Sequence, residues 1–152
     1  MKLIDDISRD VIGVAMRIHR ELGPGLFESV YETILAGKIA ELGYRVDRQK
    51  PVNIEFEGTQ FPAAFKIDLL IDDRLIVEIK SVDRPSAAHA KQLLTYLRLT
   101  QLSVGLVINF GGATLKEGVK RIVNDHHDSK PSALSAPLRE QKKDYACSTS
   151  QE

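Results

Sequence analysis

The segment FKIDLLIDDRLIVEIK, residues 65–80, contains two apolar runs separated by the charged residues DDR. Each run alternates with a period of two, as a β-strand does, and the short separation predicts an antiparallel hairpin. Three charged residues interrupt the apolar pattern: Asp68 in the first run, and Glu78 and Lys80 in the second. Charged groups in core strands are usually paired or functional, so the pairing of the two strands decides how these residues are interpreted.

The register of the hairpin follows from the distribution of its apolar side chains. A two-residue turn at Asp72 and Asp73 would place Ile67 opposite Glu78 and mix the two faces. A three-residue loop, residues 72–74, keeps the apolar face intact with the pairs Ile71–Leu75, Leu69–Val77 and Ile67–Ile79. Because a one-residue slip turns every side chain to the other face, the pattern favours the second register. It places Asp68 opposite Glu78, with Cβ atoms roughly 5 Å apart, and Lys80 on the same face.

Two carboxylates that face each other repel unless a cation lies between them. A hard divalent ion such as Mg²⁺, which prefers oxygen ligands, would remove the repulsion. Alternatively, this face is exposed to solvent, and Lys80 or Lys66 neutralises the acids. The spacing of the residues alone leaves both interpretations open.

The rest of the chain predicts elements in the order α-α-β-β-β-α-β. Helices are expected over residues 4–22 and 27–42, each followed by a glycine, Gly23 or Gly43, of the kind that ends helices. Strands are expected over residues 44–57, 61–71, 75–80 and 103–110, with a helix from the N-cap Ser86 to about residue 100. Residues 119–123 form either a last short strand or a helical turn.

These elements predict an α/β fold with a mixed sheet flanked by helices. Short turns link the first three strands, which should therefore pair antiparallel. The strand-helix-strand step that follows should add a parallel neighbour through a crossover connection.

Composition indicates one domain with balanced charge. The chain has 152 residues, with 21 basic and 21 acidic side chains, which is the size of an ordinary single domain. We expect residues 1–124 to form it and residues 125–152, rich in Ser, Lys, Asp and Pro, to be a disordered tail. The balanced charge argues against a protein that coats nucleic acid nonspecifically, but not against an enzyme with a basic groove.

The single cysteine and the apolar runs bear on the expected location. Cys147 has no partner for a disulfide within the chain, which fits a reducing compartment. The N-terminal residues lack a continuous apolar segment, and the longest apolar runs are far shorter than a membrane span. A cytoplasmic protein without a membrane partner is expected.

The pattern D-x9-E-x-K, formed by Asp68, Glu78, Ile79 and Lys80, resembles the signature of the PD-(D/E)XK nuclease superfamily. This chain has Ile67 where the founding pattern has proline. The pattern is short, so the neighbouring motifs carry much of the resemblance.

Three neighbouring motifs strengthen the resemblance. GLFESVY, residues 25–31, has the spacing G-x2-E-x2-Y and is similar to the GxxExxY family, a bacterial group within that superfamily. QLLTYL, residues 92–97, places Gln92 and Tyr96 four apart on the helix after the E-x-K strand, as in several nuclease branches. VGLVINFG, residues 104–111, resembles the next strand of the family.

The resemblance implies a restriction-endonuclease-like αβββαβ core with an extra N-terminal helix. It further implies a Mg²⁺-dependent nuclease, with Mn²⁺ as a substitute ion. The implied metal ligands are the carboxylates of Glu28, Asp68 and Glu78 and the backbone carbonyl of Ile79. Lys80 would orient or deprotonate the attacking water, or stabilise charge on the phosphate.

For three other residues the resemblance leaves the role less defined. Gln92 and Tyr96 either form structural hydrogen bonds or contact Lys80 or the phosphate. Tyr31 is expected to pack in the core and to hydrogen-bond through its hydroxyl, with a site carboxylate as one candidate partner.

The implied partner is nucleic acid, with DNA the expected substrate. An exposed sheet edge at residues 44–57 would allow a homodimer. The alternative is a catalytically silent module of the same fold that binds nucleic acid or a protein. In a third interpretation, an unrelated α/β domain, the carboxylates of Asp68 and Glu78 would not converge.

Overall fold

The computed structural model describes residues 1–125, so the predicted disordered tail lies outside the described residues except for Asp125. The helices and strands follow the predicted order, with one further strand: α1 (Ile4–Leu22), α2 (Glu28–Glu41), β1 (Val46–Phe56), β2 (Thr59–Ile71), β3 (Leu75–Lys80), α3 (Ala87–Thr100), β4 (Val104–Asn109) and β5 (Val119–Val123). A 3-10 turn, Lys116–Gly118, precedes β5. Residues 119–123 are therefore a strand, and the turn lies just before them.

The residues that begin and end the helices act as the sequence predicts. Gly23 follows α1 with φ of 70°, and its N–H donates to the carbonyl of His19. Such a backbone angle suits glycine because it lacks a Cβ atom. At the start of α3, the hydroxyl of Ser86 accepts a hydrogen bond from the N–H of Ala88 at 3.1 Å, which caps the helix.

Within residues 1–125 the strands form one sheet in the order β1-β2-β3-β4-β5. The first three strands pair antiparallel, β3 and β4 pair parallel with α3 between them in sequence, and β5 pairs antiparallel with β4. The prediction of an α/β fold with a mixed sheet is confirmed. β1 lies at an edge, as expected, while pairing of this edge with a second copy stays a prediction.

The sheet is covered by helices on both faces. On one face, α1 and α2 pack through residues such as Val11 and Leu35 onto Leu69, Val77 and Leu106. On the other face, α3 packs through Leu93 and Leu97 onto the residues Val52, Ile67, Leu70, Ile76 and Val107. Burying each large aliphatic side chain contributes about 1.5–3 kcal/mol. In residues 1–125, none of the helices combines the length and the apolar character that a membrane span requires.

The loop between β2 and β3 has the predicted length. The observed pairs are Ile71–Leu75, Leu70–Ile76 and Leu69–Val77, which confirms a loop of three residues. The left-handed backbone angles fall at Asp72 and Asp73, with φ of 51° and 55°. Aspartate tolerates this conformation better than most residues do, so Arg74 does not have to adopt it.

The predicted pair Ile67–Ile79 is wrong. The ladder between β2 and β3 ends at Leu69, and Ile67 packs on the α3 side while Leu69 packs on the side of α1 and α2. The regular alternation of β2 therefore breaks at Asp68. The physical reason is a hydrogen bond of 2.9 Å from the N–H of Ile79 to Oδ2 of Asp68, because a side chain replaces the backbone acceptor that a continuous ladder would use.

Candidate active site at the break in the sheet

The break in the sheet extends over three strands. Pairing between β1 and β2 skips Gln49 and Asp68, although the pairs on both sides are intact. The same register, continued across β2 and β3, sets Asp68 opposite Glu78. Gln49, Asp68 and Glu78 therefore form a row where both ladders are interrupted, and polar side chains occupy the space that backbone pairing leaves.

Asp68 lies at the centre of this row, and both of its carboxylate oxygens accept hydrogen bonds. Oδ1 accepts from Nε2 of Gln49 at 3.1 Å, and Oδ2 accepts from the N–H of Ile79 at 2.9 Å. Asp68 also lines a cleft of about 630 Å³ that extends towards the start of α2, together with Leu26, Phe27, Glu28, Ser29, Glu32, Gln49, Ile79 and Ser81. The cleft thus brings three of the predicted site residues together: Glu28, Asp68 and Ile79.

Glu28 is exposed in the first turn of α2 and points its carboxylate at the end of β3. Its Oε1 accepts a hydrogen bond of 3.2 Å from the N–H of Ser81. The hydroxyl of Ser81 donates in turn to the carbonyl of Leu26 at 2.8 Å. These two bonds connect the start of α2 to the residue that directly follows Lys80.

Tyr31 stabilises the loop that leads to Glu28. Its hydroxyl donates to the carbonyl of Gly23 at 2.5 Å and accepts from the N–H of Leu26 at 3.2 Å. Its buried ring stacks on Phe110, with ring centroids 4.3 Å apart. The hydroxyl therefore binds the backbone of the loop, and not a site carboxylate, because the turn at residues 23–26 brings these backbone groups to the hydroxyl.

Glu78 is a buried acid beside a second acid. Its side chain is 5% exposed, and its Oε1 accepts a hydrogen bond of 3.4 Å from the N–H of Asp68. Burial and then the charge of Asp68 raise the pKa of Glu78 from 4.5 to about 8. The hydrogen bond from the Asp68 backbone and the charge of Lys80 act in the opposite direction. The pair is therefore short of positive charge, which Lys80 offsets only in part.

Helix α3 brings Tyr96 to the other side of the acids. Tyr96 is half-buried, and its ring stacks on Phe65 with centroids 4.0 Å apart. Burial and then the charges of Glu78 and Asp68 raise the pKa of Tyr96. Gln92 lies one turn earlier on α3 and is exposed. Contact of either residue with a substrate stays a prediction.

The donor atoms at this site are of the chemical type that a hard divalent ion binds. Carboxylate and carbonyl oxygens are the ligands that Mg²⁺ prefers, and Lys80 offsets the negative charge of the acid pair only in part. Nevertheless, no group of three or more His, Cys, Asp or Glu side chains in residues 1–125 is arranged to hold a metal ion. Asp68 and Glu78 are adjacent, whereas Glu28 reaches the cleft from α2. The assignment of these residues and of Ile79 as ligands stays a prediction.

The sequence did not single out two residues that support Asp68. Glu32 is only 6% exposed, accepts a hydrogen bond of 2.8 Å from Nε2 of Gln49, and forms an ion pair of 3.5 Å with Arg48. A signal for Glu32 was available, since it lies four residues after Glu28 and thus on the same side of α2. Gln49 carried no signal, because a polar residue is ordinary in an edge strand.

Asn109 was also missed, and it holds the segment after Lys80 in place. Its side chain accepts from the N–H of Val82 at 3.0 Å and donates to the carbonyl of Val82 at 2.9 Å. Its Oδ1 also accepts from the N–H of Gly111 at 3.1 Å. A Cβ atom on Gly111 would lie 2.3 Å from the carbonyl oxygen of Val82, so the NFG sequence permits this close approach.

Comparison with known proteins identifies the family of the chain. The model of the PD-(D/E)XK nuclease superfamily matches residues 5–122, a range that covers nearly all of the described helices and strands. Comparison with curated proteins and with solved structures found no match. Members of the matching superfamily are generally nucleases, and some are inactive. Because the match extends over most of the chain and includes the acid pair and Lys80, the chain belongs to the PD-(D/E)XK nuclease superfamily.

Proposed function

We propose that this protein is a Mg²⁺-dependent nuclease that hydrolyses phosphodiester bonds, with DNA as its substrate and Mn²⁺ as a substitute ion. The spacing of GLFESVY supports the further proposal that it is a member of the GxxExxY group within the superfamily. The observation that carries the proposal is the pair formed by the buried Glu78 and the half-buried Asp68, which is short of positive charge, beside Lys80. A purely structural core would gain stability by losing such a pair.

The proposed ligands come from three elements: β2, β3 and α2. Asp68, Glu78 and the carbonyl of Ile79 lie at the break between β2 and β3, and Glu28 lines the same cleft as Asp68 and Ile79 from α2. A bound divalent ion would polarise the phosphate and lower the pKa of a coordinated water. The role of the four residues is to hold the ion and to leave positions open for water and phosphate oxygens.

Lys80 is the proposed partner of the attacking water and of the phosphate. Its charge acts on Glu78, and its carbonyl accepts the N–H of Phe110 at 2.8 Å, which keeps the end of β3 in register with β4. An ammonium group in this position orients a water molecule and stabilises negative charge on the phosphate. Tyr96 and Gln92 would contact Lys80 or the phosphate from α3.

A cleavage assay tests this proposal. Supercoiled plasmid and a labelled single strand are incubated with wild-type protein and Mg²⁺ or Mn²⁺. The variants Glu78→Gln and Lys80→Ala should each cleave at least about 100-fold more slowly than the wild type. The matched controls Glu57→Gln and Lys120→Ala, at exposed positions outside the cleft, should cleave like the wild type. Equal cleavage by all five proteins would indicate a contaminant and overturn the proposal.

A second candidate function is a catalytically silent module that binds nucleic acid or a protein partner. It is favoured by one observation, that the side chains of residues 1–125 include no three-membered metal cluster. This candidate predicts salt-dependent binding of nucleic acid without cleavage, and no heat on titration with Mg²⁺. Calorimetry with the wild-type protein separates the two candidates, because a nuclease of the proposed kind must bind the ion.

A further inference from the structure

Gln49 adopts a backbone conformation that is unusual for its residue type. It lies within β1 with φ of 47°, in the left-handed region. For a residue other than glycine, this conformation costs about 1–2 kcal/mol. Such a cost persists only where the surrounding structure compensates for it, so the bonds that Gln49 forms in this conformation require an explanation.

The left-handed conformation directs two consecutive side chains to the same helix. In a regular strand, neighbouring residues point to opposite faces of the sheet. Here the guanidinium of Arg48 lies 3.5 Å from the carboxylate of Glu32, and Nε2 of Gln49 donates to the same carboxylate at 2.8 Å. The break in β1 is therefore what allows Gln49 to reach α2 and the cleft.

The amide of Gln49 connects the buried Glu32 to Asp68, the central acid of the site. Its Nε2 carries two N–H groups, and its bonds go to Oε1 of Glu32 and to Oδ1 of Asp68, the second at 3.1 Å. Glu32 is 6% exposed and forms an ion pair with Arg48, so its carboxylate is held in place. The other oxygen of Asp68 is held by the N–H of Ile79. Together these bonds fix the orientation of the Asp68 carboxylate.

We propose that Gln49 is a positioning residue for metal binding. Its amide donates to the carboxylates of both Asp68 and Glu32, and it thereby fixes the orientation of the Asp68 carboxylate. The inference rests on the proposed function, because it assigns Asp68 as a ligand. Side chains that orient ligating carboxylates typically change metal affinity about 10–100-fold when they are removed. Gln49 itself does not contact the reacting atoms.

Glycine substitution separates this role from a purely structural one. Gln49→Gly removes the amide and at the same time removes the cost of the left-handed backbone. Gln101→Gly is the matched control, since Gln101 also has a left-handed φ, of 57°, but ends α3 next to the start of β4. Gln49→Met keeps the length of the side chain and donates no hydrogen bond, and it serves as a second variant if the glycine variant does not fold.

The experiment measures Mn²⁺ binding by electron paramagnetic resonance, together with thermal unfolding. We expect the Kd for Mn²⁺ to rise about 10–100-fold in Gln49→Gly and Gln49→Met, and to stay at the wild-type value in Gln101→Gly. In the cleavage assay, the Mn²⁺ concentration for half-maximal rate should rise by the same factor, with a smaller effect on the rate at saturating Mn²⁺.

Two results would overturn the inference, and they are distinguishable. If wild type binds Mn²⁺ and cleaves, while the folded Gln49 variants bind Mn²⁺ with the wild-type Kd, Gln49 does not position a ligand, and the proposed function stands. If wild type neither binds Mn²⁺ nor cleaves, the proposed function is wrong, and the inference is wrong with it.

Discussion

Replacing Glu78 by glutamine should stabilise the metal-free protein against unfolding, and the gain should grow with pH. Glu78 is buried, and burial and the charge of Asp68 raise its pKa from 4.5 to about 8. Glutamine has almost the same size but carries no charge. The substitution therefore removes the cost of ionising a buried group while the surrounding packing is retained.

The magnitude follows from the pKa values. Between pH 4.5 and about 8 the folded state binds more protons at Glu78 than the unfolded state does, so the stability of the wild type falls as the pH rises through this interval. At about 1.4 kcal/mol per pH unit, the loss reaches about 3 kcal/mol at pH 7. It levels off near 5 kcal/mol above pH 8, and it is absent below pH 4.5. Relaxation of the structure around the charge reduces these values, which are upper limits.

The assay is urea unfolding of wild type and Glu78→Gln between pH 5 and pH 9, with a chelator present. The difference in the free energy of unfolding isolates Glu78 and should increase with pH. Glu57→Gln, at an exposed position, should show no such increase. Adding Mg²⁺ should stabilise the wild type selectively, because a ligand that binds only the folded state shifts the equilibrium towards it. A difference between wild type and Glu78→Gln that stays constant from pH 5 to pH 9 would refute the reasoning.

Three further substitutions test the parts of the fold that support the site. Gly111→Ala would place a Cβ atom 2.3 Å from the carbonyl oxygen of Val82; it should lower the free energy of unfolding by about 3 kcal/mol, and an unchanged denaturation midpoint would contradict this. Gly13→Ala should raise the free energy of unfolding by up to about 1 kcal/mol, because within residues 1–125 nothing beyond its chain neighbours and the adjacent backbone of α1 lies within 4 Å of the new Cβ; a lower thermal midpoint would show that the helix position is constrained. Tyr31→Phe removes the hydroxyl bonds to the loop before Glu28 and should cost about 1–3 kcal/mol. It should also raise the Mn²⁺ requirement for cleavage, and normal stability together with a normal requirement would argue against a role in holding that loop.

Much of the fold was predictable because it depends on local properties of the chain. Helical periodicity, Gly23 after α1 and the N-cap Ser86 act through backbone geometry and bonds between neighbouring residues. The loop of residues 72–74 followed from matching apolar faces, which is also a short-range constraint. The pairing of Asp68 with Glu78 beside Lys80 came from the same pattern, and the family of the chain followed from these motifs and their order.

The sequence by itself therefore determined the order of the elements, the mixed sheet and the location of the acid pair. Only the tertiary structure decided that Asp68 leaves the regular alternation, that Gln49 joins it to the buried Glu32, and that the hydroxyl of Tyr31 binds the loop backbone. Periodicity assumes an uninterrupted ladder, in which each backbone N–H pairs with a backbone carbonyl of the neighbouring strand. At Ile79 a carboxylate from β2 takes that place, and this competition between side chain and backbone depends on groups that are distant in sequence.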